Sequence, residues 1–173
     1  SLSYTMPLSL QVVSADQRRR VTFVSEIDGT VQYFSFLPAQ SEAPDAPEPA
    51  IVLSCHGAGV EAHGQAGAYS PKSWFHIVAP TNRRPYGFDW EDFGRMDAME
   101  VLDIAQRTLE HDPSRIYLTG HSMGGHGAWH LGVTYPGRFA AVGPSAGWLS
   151  RSSYTRRRNG DEEETPMEAL LNR

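Results

Sequence analysis

The 173-residue sequence contains one cysteine, no long apolar run, no internal repeat, and no spacing of His, Cys, Asp and Glu that reads as a metal site. Each absence removes a class of explanation. A lone Cys55 rules out an internal disulfide and leaves the redox compartment open. It lies inside an apolar stretch and reads as a small buried filler, not a nucleophile. The apolar runs fall short of the ~20 residues a membrane helix needs, so no membrane partner is expected. A formal net charge of -5 argues against nucleic acid as a partner. The arginine triplets at 18–20 and 156–158 read as solvated loops. No metal and no cofactor are expected. The sequence starts at Ser1 and its opening does not read as a leader. The expected location is therefore open: soluble, in the cytoplasm, or exported after removal of a signal.

What is present fits one domain with a sizeable core. The first third is β-rich, with runs at 8–14, 21–26 and 31–37 and a hairpin turn at Asp28-Gly29. A proline-rich connection over 39–49 follows. From residue 51 the rhythm changes to buried strands at 51–55, 75–79, 115–119 and 139–142, separated by helices at 97–111 and 123–135. On the first of these helices Val101, Ile104, Ala105 and Leu109 share a face, widened by Met99 and Leu102, and Asp103 is spaced to pair with Arg107. Alternating strands and helices predict an α/β fold with a mostly parallel sheet, helices on both faces, and an antiparallel N-terminal edge. The domain is read as 1–150. Residues 151–173 are polar, either a flexible tail or the start of an inserted cap.

The chemistry concentrates at Gly120-His121-Ser122-Met123-Gly124-Gly125, directly after a strand and before a helix. A serine lifted onto a sharp turn there is a nucleophile candidate. Glycines two residues to either side are needed because a Cβ would strike the strand or the helix. The helix N-terminus points free N–H groups at a developing oxyanion, so the Met123 N–H is one donor. The small-residue loop His56-Gly57-Ala58-Gly59 follows another buried strand and supplies the second donor, Ala58, with Gly57 as the alternative. His56 itself reads as structural. Tyr86 and Trp90 are candidate substrate walls, and Asp89, Glu91 and Asp92 flank the expected site mouth.

Residues 120–127 (GHSMGGHG), continued by Ala128-Trp129-His130 and later by Tyr135-Pro136-Gly137-Arg138-Phe139, resemble the α/β-hydrolase superfamily. The resemblance is to its esterase D and feruloyl-esterase-like group, and to prolyl-oligopeptidase-like hydrolases. It implies an eight-stranded, mostly parallel sheet and a Ser-Asp-His triad in that chain order. By strand count the sequence ends after the sixth strand, so it covers the front part of such a domain and lacks the last strands. Neither the triad acid nor its histidine has a matching position. Among the histidines present, His121 should point away from Ser122, His126 and His130 face packing or solvent, and His111 ends a helix. His63 and His76 are the least excluded.

The expected function is cleavage of carboxylic esters through an acyl-enzyme on Ser122, with a small-molecule ester or acyl compound as substrate. The alternatives are a serine peptidase of prolyl-oligopeptidase-like type, or a catalytically incomplete or non-catalytic domain. An unpaired sixth strand also predicts self-association or a partner along that edge.

Overall fold

The apolar runs become neighbouring strands of one sheet in the computed structural model, which describes residues 5–7, 9, 12–41, 43–83 and 89–149. The elements in chain order are β1 (Arg19–Val24), β2 (Val31–Leu37), β3 (Ala50–Cys55), α1 (Ala62–Gly67), β4 (Phe75–Ala79), α2 (Asp92–Thr108), β5 (Ile116–His121), α3 (Met123–Thr134) and β6 (Ala141–Ser145). The six strands lie in the order β1-β2-β4-β3-β5-β6. β1 and β2 form the antiparallel edge, and β2 meets β4 antiparallel. β4, β3, β5 and β6 run parallel, as the helical crossovers between them require.

β3 is buried along its whole length, so both of its faces must be apolar. Ile51, Leu53 and Cys55 pack into a cluster with Val101, Leu102 and Ala105 of α2 and with Met123, Ala128 and Leu131 of α3. Val52 points to the other face, against Ala62 and Ala66 of α1. Helices therefore cover both faces, and they change face between β3 and β5. The loops leaving these two adjacent strands diverge at a topological switch point, where open α/β sheets place their ligands.

Several elements differ from the sequence reading. Residues 12–14, expected in a first strand, form none; Leu8, Leu10 and Gln11 of that run lie outside the described residues. α1 has only six residues, with no side-chain cap and two glycines, which leaves little periodicity to read. α2 starts at Asp92 and not at 97, so part of the anticipated loop is helical. Asp103 pairs across to Arg138 on the segment after α3, and Arg107 lies 3.8 Å from Glu26, so the expected pair within the helix does not form. Cys55 is fully buried, and burial pushes its thiol well above the usual range. No helix among the described residues is long and apolar enough to cross a membrane. β6 is exposed over most of its length, and its outer side has no partner strand among the described residues. The tail, 151–173, lies outside them as well.

Candidate active site

Ser122 stands between the end of β5 and the first residue of α3, with φ 56° and ψ −117°. A non-glycine residue at positive φ outside the left-handed helical basin is strained, by roughly 1–3 kcal/mol, and persists only when its surroundings over-determine it. They do so here. The Ser122 N–H donates to the Ser145 carbonyl of β6 at 2.9 Å, and the Ser122 carbonyl accepts from the His126 N–H at 3.0 Å. Any Cβ on Gly120 would strike the Gly124 carbonyl, and one on Gly124 would strike the Cys55 carbonyl at the end of β3. Both glycines flanking the serine are thus fixed by backbone contact. As the first residue of α3, Met123 has an N–H with no partner inside the helix. Its side chain is buried, and its sulfur accepts from the Asp89 N–H at 3.1 Å.

The second loop comes close to the first. A Cβ built on Gly57 would lie 3.3 Å from the His121 carbonyl oxygen and 3.9 Å from the Ser122 Cβ. Gly57 and the exposed turn at Ala58 and Gly59 therefore sit beside the nucleophile candidate. His56 is wholly buried beneath this turn, its ring nitrogens 3.0 Å from the Gly57 carbonyl oxygen and 3.1 Å from that of Thr81.

Trp90 is not a wall of an open cleft. It is fully buried, its indole N–H donates to the His56 carbonyl at 3.1 Å, and its ring meets the His56 ring edge-on. Gly127 of α3 leaves room for it, since a Cβ there would strike the indole. A large aromatic with one polar atom is suited to such a buried strut. Tyr86 lies outside the described residues.

The histidines are dispersed. His121 is exposed, with Nδ1 3.1 Å from the Ser145 hydroxyl. His126 is buried and lies between the Trp148 carbonyl and the Glu91 carboxylate, each 3.0 Å away, with its ring stacked on Trp148. His63 pairs with the Ser35 hydroxyl. His76 accepts from the Ala39 N–H through Nδ1 and faces the Glu110 carbonyl through Nε2, at the far end of the sheet. Burial, followed by nearby arginines, holds His63 below the ordinary histidine range; burial also holds down His76 and His130. Among the described residues no histidine ring is hydrogen-bonded to the Ser122 hydroxyl, and no group of three His, Cys, Asp or Glu could hold a metal ion. A cleft of about 470 Å³ does open in the molecule, lined by Arg19, Phe36, Pro47, His76 and Glu110. It lies at the end of the sheet opposite Ser122 and shares no residue with either loop.

The sequence reading does not point to the groups behind the His56 loop. Arg83 is almost buried and meets three carboxylates: Asp28 at 3.1 Å, Asp97 at 3.3 Å and Glu100 at 3.0 Å. Asp97 is fully buried, and burial raises it to about 6, against the pull of Arg83 and of the Arg83 and Asn82 backbone N–H groups. A signal does exist in the sequence. Asp97 precedes Val101 and Ala105 by four and eight residues, placing an acid on the apolar stripe of a helix.

The family model described as Esterase matches residues 12–169. A poly(3-hydroxyalkanoate) depolymerase C of Paucimonas lemoignei is 28% identical over 170 residues, spanning 85% of this chain but 39% of that protein. A thermostable esterase structure aligns with TM-score 0.62 at 22% identity, over 83% of this chain and 44% of the other. A fluorophosphonate-binding serine hydrolase of Staphylococcus aureus aligns with TM-score 0.62 at 16% identity, over 89% and 65%. A ferulic acid esterase of Anaeromyces mucronatus gives 0.57 at 13%, over 83% and 62%. The chain spans well under half of the curated relative. At these identities the solved structures attest the fold.

Proposed function

The chain belongs to the Esterase family, and from that premise we propose that it is the nucleophile-bearing part of a serine esterase. Ser122 attacks an ester carbonyl, the alcohol leaves, and water hydrolyses the acyl-enzyme. The Met123 N–H and an N–H of the Gly57–Ala58 turn stabilise the oxyanion. The observation that carries this reading is the strained Ser122 backbone at a strand-to-helix junction, with Gly57 closing on it from the neighbouring strand. The dispersed histidines favour an acid and a base supplied from beyond the described residues. Esters of the kinds for which the relatives are named, poly(3-hydroxyalkanoate) and ferulic acid esters, are the first to try. The outer side of β6 is the natural place for further strands or a second copy.

The test is intact-mass labelling with a fluorophosphonate, with Ser122→Ala as control. One adduct on the parent and none on the variant supports the nucleophile. An adduct that survives the substitution overturns it. Matched ester and amide substrates then separate an esterase from a peptidase.

A further inference from the structure

A continuous line of contacts runs from the β1–β2 hairpin to the Gly57 turn. Asp28, in the hairpin, holds Arg83. The Arg83 guanidinium faces Asp97 through Nε and Glu100 through Nη2, tying two successive turns of α2. Arg83 Nε and Asp97 Oδ1 are buried without an aligned hydrogen bond, so what joins them is charge at short range. The other Asp97 oxygen accepts from the Thr81 hydroxyl at 3.4 Å. The Thr81 carbonyl faces His56, whose ring also faces the Gly57 carbonyl. Trp90 closes the loop by donating to the His56 carbonyl. Each link is buried or nearly so, except Asp28.

The backbone around this line is strained. Asn82 and Arg83 are consecutive non-glycine residues at φ 59° and 61°, and Asp89 and Asp92 are also positive. Strain of this kind is retained where the surroundings impose it, and it gathers near working sites. The turn at 82–83 directs Arg83 inward, where one cation is shared by three carboxylates. A planar guanidinium spreads its donors over three nitrogens in a rigid fork, whereas an ammonium is a compact point charge on a flexible stem.

We propose that Arg83 is a positioning residue: acting through Asp97, Thr81 and His56, it sets the Gly57–Ala58 turn at the distance from Ser122 that oxyanion donation requires. This rests on the reading of that turn as an oxyanion donor. Arg83 touches neither Ser122 nor the turn itself. Its effect falls on the rate of bond formation and not on reversible binding of the reagent.

The experiment compares the parent chain with Arg83→Met, Arg83→Lys and Thr81→Val. The first readout is hydrogen exchange of the Trp90 indole N–H and the Val60 amide, whose acceptors are the carbonyls of His56 and Gly57. Exchange at these two sites should rise roughly 10-fold or more in Arg83→Met and less in Thr81→Val, with β3 amides unchanged. The second readout is the fluorophosphonate reaction, whose maximal rate should fall roughly 10- to 100-fold at unchanged reagent affinity. Arg83→Lys should restore only part of either. If Arg83→Met does not fold, Thr81→Val carries the measurement. Unchanged exchange at Trp90 and Val60 in a folded variant overturns the proposal, as does a rise shared equally with β3. A folded parent chain that does not label at Ser122 shows that the general base is absent from this chain, and the exchange data alone then decide the role of Arg83.

Discussion

The two loops that meet at Ser122 are held in opposite ways. The elbow over 120–125 is locked by backbone against backbone: Gly120 against Gly124, Gly124 against Cys55, and the Ser122 N–H on Ser145. The loop over 56–59 is held by side chains from afar, through His56, Trp90, Thr81, Asp97 and Arg83. The first device tolerates no added atom. The second consists of separable side-chain contacts that can be removed one at a time.

The largest way to break this contrast is Gly124→Ala. Its new methyl meets the Cys55 carbonyl, a backbone group that cannot swing aside. The expected loss is about 3 kcal/mol or more in urea denaturation, and labelling of Ser122 is abolished. A fully stable Gly124→Ala chain would show that the elbow is looser than its contacts imply.

Next comes Trp90→Phe, which removes the indole donor and leaves the buried His56 carbonyl unpaired. The expected cost is about 1–3 kcal/mol, with slower fluorophosphonate reaction and an intact elbow. Equal loss from Trp90→Phe and Gly124→Ala would erase the distinction between truss and lock.

A third prediction sharpens the contrast through pH. Asp97 has a folded-state value of about 6 against an ordinary 3.8, so the folded chain holds its proton more tightly than the unfolded chain. The stability this gives is complete below about pH 3.8 and is lost as pH rises through about 6. It amounts to at most about 3 kcal/mol. Urea midpoints of the parent minus those of Asp97→Asn should therefore fall between pH 4 and 7. His76, held below the ordinary range by burial, works with the opposite sign: its contribution is present above about pH 6.5 and is lost as pH falls. The His76→Gln difference should thus slope the other way.

The smallest effect belongs to Asp28→Asn. Its side chain is exposed, at 42% of its area, whereas Arg83 is nearly buried. Only a small shift of the urea midpoint is expected, shrinking further in salt. Loss as large as that of Trp90→Phe would place the hub's main anchor in the hairpin and not in α2.

The same contrast explains what could be read from the sequence. Glycines at 120, 124 and 125 around Ser122 report a backbone lock locally, within six residues, so the elbow was legible. So were β3, β4 and β5, whose apolar runs are buried on both faces, and the antiparallel edge. The truss was not, because its members span residues 28 to 100 and no local pattern joins them. Trp90 illustrates the limit: an aromatic in a polar loop reads as a surface group, and only the Gly127 recess in α3 shows where it goes. The α2 start was obscured by the positive φ of Asp92 and a first turn with an exposed Phe93.

One bond at the elbow also joins it to the rest of the sheet. In the β5–β6 ladder His121 stands opposite Ser145, and the Ser122 N–H then donates to the Ser145 carbonyl. Ser122 is therefore the final rung of a ladder whose other rail, β6, faces outward. A strand added along that rail would shift its tilt, and the Ser145 bond would pass the shift to the rung. By this bond, the outer edge of the sheet and the position of Ser122 are mechanically coupled.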